Sequence, residues 1–359
     1  MKKLICVFLT VITALSALSL TALADEEESK KEPEHENVSS LLVFGDSIPA
    51  GYALDGYSKQ DPFAAEDCFI NLLCAEYGLK PGSTCKNYSR SGLPTDKILE
   101  KIKATDKDTV KNADIILISA GANDIMDIVE QTVLSEFGKE TEYFESRGIR
   151  IDSSDLVSYE KSIISVITNP DTKDGMERIY TACTDDKAKR TYTDTVLKAE
   201  NNVKEMISYI RETGSNAEIV FLVPYNPTEI IKNNPLIDTI KELLFSYRDK
   251  LTALCESSEY GYSANALDLL GEFEGKALEL TNISSLDIHP NKKGHQKIAE
   301  LSSSLIDTVL AEKNKQESIK EARSAPYSDT VVYIIFGVAC TLVILIMIIG
   351  VIKYRKKEL

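Results

Sequence analysis

Ser47 and His289 are the residues of this chain best suited to do chemistry as a pair. The sequence has only three histidines, His35, His289 and His295. His35 sits in a charge-rich stretch with no core-forming residues, so a folded domain has two imidazoles to use. An imidazole titrates near neutrality and can take a proton from a hydroxyl. Ser47 ends the run Leu41-Leu42-Val43-Phe44-Gly45-Asp46-Ser47, in which a short apolar stretch breaks at Gly-Asp-Ser. A serine hydroxyl attacks an ester only with a base beside it and donors aimed at the developing oxyanion. Two other turns offer such donors: the backbone amide of Gly92 in Ser89–Thr95, and the side-chain carboxamide of Asn123 in Ala120–Asp124. No C-x-x-C or Cys/His cluster suggests a metal, and no cofactor is implied. Each feature alone is ordinary. Gly-Asp-Ser ends many strands, and a lone histidine commonly serves structure.

What would unite them is a fold that delivers all four loops to one edge. Strands are expected at Leu41–Phe44, Thr84–Tyr88, Asp114–Ser119, Glu218–Val223 and, weakly, Ala264–Leu269. The apolar runs suit strands buried on both faces of a parallel sheet. Helical periodicity falls between them. One helix should start at Asp61-Pro62 and carry Phe69, Leu72, Leu73 and Tyr77. Others carry Ile98, Leu99 and Ile102; Val196 to Ile210; Leu236 to Cys255; and finally Ile298, Leu301, Leu305 and Val309. This alternation implies one α/β domain over 38–311. Open parallel sheets place ligands beyond the carboxyl ends of their strands, where Ser47, Gly92, Asn123 and His289 all fall. Residues 125–193 exceed what a crossover needs. They read as a helical insertion, either a cap over a substrate pocket or an elaboration packed on the sheet's side.

The ordered blocks Phe44-Gly45-Asp46-Ser47, Ser91-Gly92, Gly121-Ala122-Asn123-Asp124 and Asp287-Ile288-His289-Pro290 resemble those of the SGNH hydrolases, the GDSL esterases and lipases. The resemblance covers roughly 38–310. It implies a flavodoxin-like three-layer α/β/α sandwich with a central parallel sheet. It also implies Ser47 as nucleophile, His289 as base and then acid, and an oxyanion hole from the Ser47 and Gly92 amides and the Asn123 carboxamide. The family's acid stands three residues before the histidine, where this chain has Leu286. Asp287 stands two before it. Either Asp287 orients the imidazole from a shifted loop, or it serves an Asx turn or cap and leaves a Ser-His pair. The family acts on acetylated sugars, lysophospholipids, thioesters and short aryl esters. The expected function is therefore a serine esterase, most directly on O-acetyl or short-chain acyl esters of carbohydrates. The alternatives are a lysophospholipase or lipase, and a non-catalytic carbohydrate- or partner-binding protein on the same fold.

The ends carry their own expectations. Residues 1–24 read as a signal peptide: a basic start, an apolar run and a small-x-small site. Residues 25–37 form an acidic leader with the composition of disorder. Residues 312–330 read as a charged tether. Residues 331–352 hold no charge and span about 33 Å as a helix, enough to cross a bilayer. The basic tail at 353–359 then points to the cytoplasm. The signal peptide and the Lys-rich tail set the expectation of a single-pass cell-surface protein of a bacterial plasma membrane, its N-terminal domain outside and its own C-terminal helix as the membrane contact. A formal net charge of −15 opposes nucleic acid as a partner and fits a small-molecule or glycan ester. Cys68, Cys74, Cys85, Cys183 and Cys255 read mostly as small buried apolar residues, with room for one bridge.

Overall fold

The computed structural model describes residues 35, 37–151, 166, 169–257, 264–285 and 287–324. Contacts divide the chain into residues 1–36 and 37–359, and the fold that carries the candidate site lies in the second unit. In chain order its elements are β1 (Leu41–Gly45), α1 (Phe69–Glu76), β2 (Cys85–Asn87), α2 (Thr95–Ala104), α3 (Lys107–Lys111), β3 (Ile115–Ser119) and α4 (Ala122–Lys139). There follow α5 (Thr141–Glu145), α6 (Lys173–Cys183), α7 (Asp186–Glu212), β4 (Glu218–Val223) and α8 (Pro235–Glu256). The chain closes with β5 (Ala264–Asp268), α9 (Leu269–Phe273), α10 (Ala277–Leu280) and α11 (Lys292–Ser324).

The five strands form one parallel sheet in the order β2-β1-β3-β4-β5. Every residue of β1, β3 and β4 is buried, as strands covered on both faces must be. Successive side chains point to opposite faces, and the two cores divide accordingly. Leu42, Phe44, Ile116, Ile118, Ile219 and Phe221 pack with α2, α7 and α8. Leu41, Val43, Ile115, Leu117, Val220 and Leu222 pack with α1 and α11. The result is the expected three-layer α/β/α sandwich. The strand order reverses direction between β1 and β3, and that switch point opens a crevice at their carboxyl ends.

The described parts of the insertion are mainly helical, and it begins within α4. Phe137, near the end of α4, joins Phe144, Val166, Ile179 and Cys183 in a small separate core. Helix α1 starts at Phe69 rather than at Asp61-Pro62, because the Asp61 carboxylate accepts from the Phe63 amide in a local turn (2.9 Å). Asn71 then donates back to the carbonyls of Phe63 and Ala65 (2.9 and 2.8 Å). Helix α11 continues to Ser324, through residues expected as tether. All five cysteines described are buried and free.

One expectation of the fold class is corrected. No helix among the described residues is long and apolar enough to cross a membrane. The longest, α11, has the length, but Lys292, Lys293, Lys297, Glu300, Asp307, Glu312, Lys313, Lys315, Glu317 and Lys320 distribute charge along it. The stretch 331–352 lies outside the described residues, as do the 1–24 signal-peptide expectation, the tail at 353–359 and all of the leader except His35 and Asn37. Among the described residues the fold is the sandwich, and no helix there supplies the span that the expected single-pass cell-surface topology and its membrane contact require.

Gly45 is needed for space rather than for turn freedom. A Cβ there would stand 2.8 Å from Pro49 Cγ and 2.9 Å from both the Ser119 Cβ and its carbonyl oxygen. Gly45→Ala is expected to destabilise the domain by about 1–3 kcal/mol, the range for overpacking a filled site. Denaturant unfolding of the purified domain measures this, and an unchanged midpoint would contradict the packing argument.

Candidate active site

Ser47 lies two residues beyond β1, at the switch point. Its turn is held by Asp46, whose carboxylate oxygen accepts from the Ile48 amide (3.1 Å) and the Ser119 hydroxyl (3.0 Å). The Tyr52 amide donates to the Ser47 carbonyl (3.0 Å) and closes the next turn. The loop after β2 is stitched to the same turn. The Asn87 carboxamide donates to the Pro49 carbonyl (2.7 Å), and the Arg90 amide to the Gly45 carbonyl (3.0 Å). Gly92 follows in an exposed left-handed turn, φ +80°, a conformation open to glycine at little cost.

Asn123 stands in the first turn of α4. Its carboxamide donates to the Leu93 carbonyl (3.0 Å), which ties the Gly92 loop to this helix. Its neighbour Asp124 accepts from the Thr95 amide (2.8 Å) and hydroxyl (2.6 Å). A carboxylate from one loop thus caps the start of α2. Asp46 and Asp124 therefore shape the turns.

The fourth loop brings His289, 242 positions from Ser47, into contact with it: Nε2 lies 2.9 Å from the Ser47 Oγ. Its Nδ1 lies 2.6 Å from Asp287 Oδ1, which also accepts from the His289 amide (3.0 Å). In the tautomer that donates from Nδ1 to the carboxylate, Nε2 is left to accept from the Ser47 hydroxyl. The structure thus joins Asp287, His289 and Ser47 in one chain of hydrogen bonds. The spacing of two does not keep Asp287 from the imidazole. Gly92 and Asn123 line the same groove as Ser47 and His289.

His295 stays apart from this chain. It is buried, stacks on Phe69, and its Nδ1 accepts from the Phe69 amide at the start of α1 (3.3 Å). Burial, with His289 adding to it, pushes its pKa down to about 3, so it is a neutral structural residue. Three contributors carry no motif: Ser119, which holds Asp46; Tyr52, whose ring lies 4.5 Å from that of His289; and Tyr225, whose hydroxyl donates to the Ile288 carbonyl (2.6 Å).

Two spaces meet at Ser47. A recess of about 70 Å³ is walled by Ile48, Met126, Pro224, Pro227, Leu244 and Ile288. An open groove of about 670 Å³ runs the other way along α4, past Tyr52, Lys59, Ser91, Asp127 and Glu130. Ser47, Asn123, Met126, Ile288 and His289 border both.

The chain matches the GDSL-like Lipase/Acylhydrolase family over residues 43–297 and belongs to it. No curated protein matches the sequence. Among solved structures it is similar to a lipase from a goat rumen metagenome (16% identity, TM-score 0.45, covering 74% of this chain and 96% of that one). It is similar also to phospholipase A1 from Streptomyces albidoflavus NA297 (14%, 0.46, 74% and 98%). A third is an acetyl-xylooligosaccharide esterase from Geobacillus Stearmophilus (15%, 0.42, 75% and 94%).

Burial raises the Asp46 pKa from 3.8 to about 6 against the pull of its two donors. A carboxyl raised on folding contributes stability that is complete below about pH 3.8 and lost as pH rises through about 6. Asp46→Asn keeps an acceptor oxygen but cannot ionise. Its stability relative to the parent should therefore rise between pH 4 and pH 7, by up to about 3 kcal/mol. Unfolding both proteins at each pH measures this, and a difference independent of pH would contradict it.

Proposed function

We propose that this protein is a serine esterase that hydrolyses carboxylic esters through an acyl-enzyme. The observation that carries the reading is the continuous Asp287–His289–Ser47 chain, with separations of 2.6 and 2.9 Å. His289 takes the Ser47 proton as Oγ attacks the ester carbonyl. The oxyanion so formed accepts from the Ser47 and Gly92 amides and the Asn123 carboxamide. His289 then passes its proton to the departing alcohol. Water enters, gives a proton to His289 and attacks the acyl carbon, and the acid leaves with Ser47 restored. Asp287 holds the Nδ1 tautomer and stabilises the imidazolium between these steps.

The two spaces favour short acyl esters of a polar alcohol such as a sugar. The acyl group must stay while the alcohol leaves and water arrives, which suits the small apolar recess for the acyl group. The open groove, with Tyr52, Lys59, Asp127 and Glu130 along it, suits a hydroxyl-rich leaving group. A second reading has its own support: Val129, Val133, Leu134 and Leu236 also line the groove. That strip would suit a long acyl chain, as in a lysophospholipid. A non-catalytic binding protein on the same fold rests on the displaced acid and the long insertion, and the Asp287–His289 contact weighs against the first of these grounds.

Ser47→Ala should lower kcat for p-nitrophenyl acetate by a factor on the order of a thousand or more, and Asp287→Asn by a similar order. Full activity in the Ser47 variant would end the esterase reading. Across a p-nitrophenyl series, acetyl and butyryl esters should exceed octanoyl in kcat/KM by about tenfold or more. The reverse order would favour the lipid reading.

A further inference from the structure

We infer that Tyr225 is a positioning residue that makes the short Asp-x-His spacing work; its catalytic meaning rests on the esterase reading above. With one residue between them, Asp287 and His289 share a tight turn. One carboxylate oxygen, Asp287 Oδ1, accepts from both the backbone amide and Nδ1 of His289. The intervening residue, Ile288, is held from outside the turn. Its carbonyl is the acceptor of the Tyr225 hydroxyl, at 2.6 Å. Tyr225 can act this way because it is itself held. It is buried, follows β4 directly in Pro224-Tyr225-Asn226-Pro227, and stacks on Phe273 with ring centroids 4.7 Å apart.

The two ends of the loop are tied separately. The Asn282 amide donates to the His289 carbonyl (2.9 Å), the Asp287 amide to the Asn282 carbonyl (3.3 Å), and the Asn291 amide to the Leu280 carbonyl (3.0 Å). Thr281 and Pro290 form an antiparallel bridge. These contacts hold the base of the loop. The Tyr225 contact falls at its tip, on the peptide between acid and base. Loss of the hydroxyl therefore leaves the loop attached but frees the Ile288 peptide to rotate, and the Asp287 carboxylate moves off Nδ1. Small misplacements of this kind are costly to catalysis. Burial and the nearby carboxylates of Asp46 and Asp287 push the phenol pKa well up, so the hydroxyl stays a donor.

The test is a double-mutant cycle with Tyr225→Phe and Asp287→Asn, which removes one hydroxyl and one charge without opening a large cavity. Tyr225→Phe should lower kcat for p-nitrophenyl acetate by roughly ten- to a hundredfold, with KM nearly unchanged. In the Asp287→Asn background the same change should have little further effect, because the contact it protects is already lost. A loss below about twofold, or equal losses in both backgrounds, would overturn the assignment. The proton on His289 Nδ1 gives a readout independent of turnover. In the parent it should appear as a far-downfield, slowly exchanging resonance, and it should weaken or vanish in Tyr225→Phe. If the parent turns over no ester while that resonance still depends on Tyr225, the esterase reading fails and the positioning role stands. If the parent is active and the resonance survives in Tyr225→Phe, the positioning role fails alone.

Discussion

The close approach of Gly45 to Ser119 is the constraint on which the site depends. These residues are register partners at the last rung between β1 and β3, where the strand order reverses. A side chain on Gly45 would collide with Ser119 and Pro49, so the two strand ends could not lie this close. With them so close, the Ser119 hydroxyl reaches Asp46, Asp46 fixes the turn that carries Ser47, and α4 starts beside it with Asn123. Nucleophile and carboxamide are thus neighbours through backbone register, with no direct bond between them needed.

The same edge gathers the remaining parts from distant sequence. The loop after β2 is bonded to β1 and to Asn123, and the loop before α11 reaches across with His289. Two carboxylates, one buried and one half-buried, do much of the joining. Asp46 and Asp124 each hold two groups of a neighbouring loop or turn, and desolvation raises the pKa of both. Their charge is costly in the fold, and the return is order in the turns around Ser47.

Much of this was legible in the sequence. Leu41–Phe44, Asp114–Ser119 and Glu218–Val223 read as buried strands because apolar runs of that length have few other homes, and they fold so. The blocks holding Ser47, Gly92, Asn123 and His289 were readable as strand-end loops, and all four border one groove. What was not legible needed three dimensions. A spacing of two between Asp287 and His289 looks unsuitable until the Ile288 peptide is seen pinned by Tyr225, a residue that reads as part of a proline-flanked loop. The start of α1 was misplaced because Asp61 satisfies Phe63 locally rather than capping a helix. The recess could not be foreseen, since Ile48, Met126, Pro224, Leu244 and Ile288 come from separate segments and share no periodicity. The length of α11 was missed because a run rich in Lys and Glu reads as a solvated tether yet also favours helix.

The central claim is that Ser47 is activated by an imidazole that Asp287 holds in register. The most direct measurement is intact-mass and peptide analysis after exposure to a fluorophosphonate, which reacts covalently with activated serines. The account predicts one adduct per chain, located on Ser47, formed far more slowly in a His289→Ala variant. No adduct, or an adduct on another residue, would contradict it.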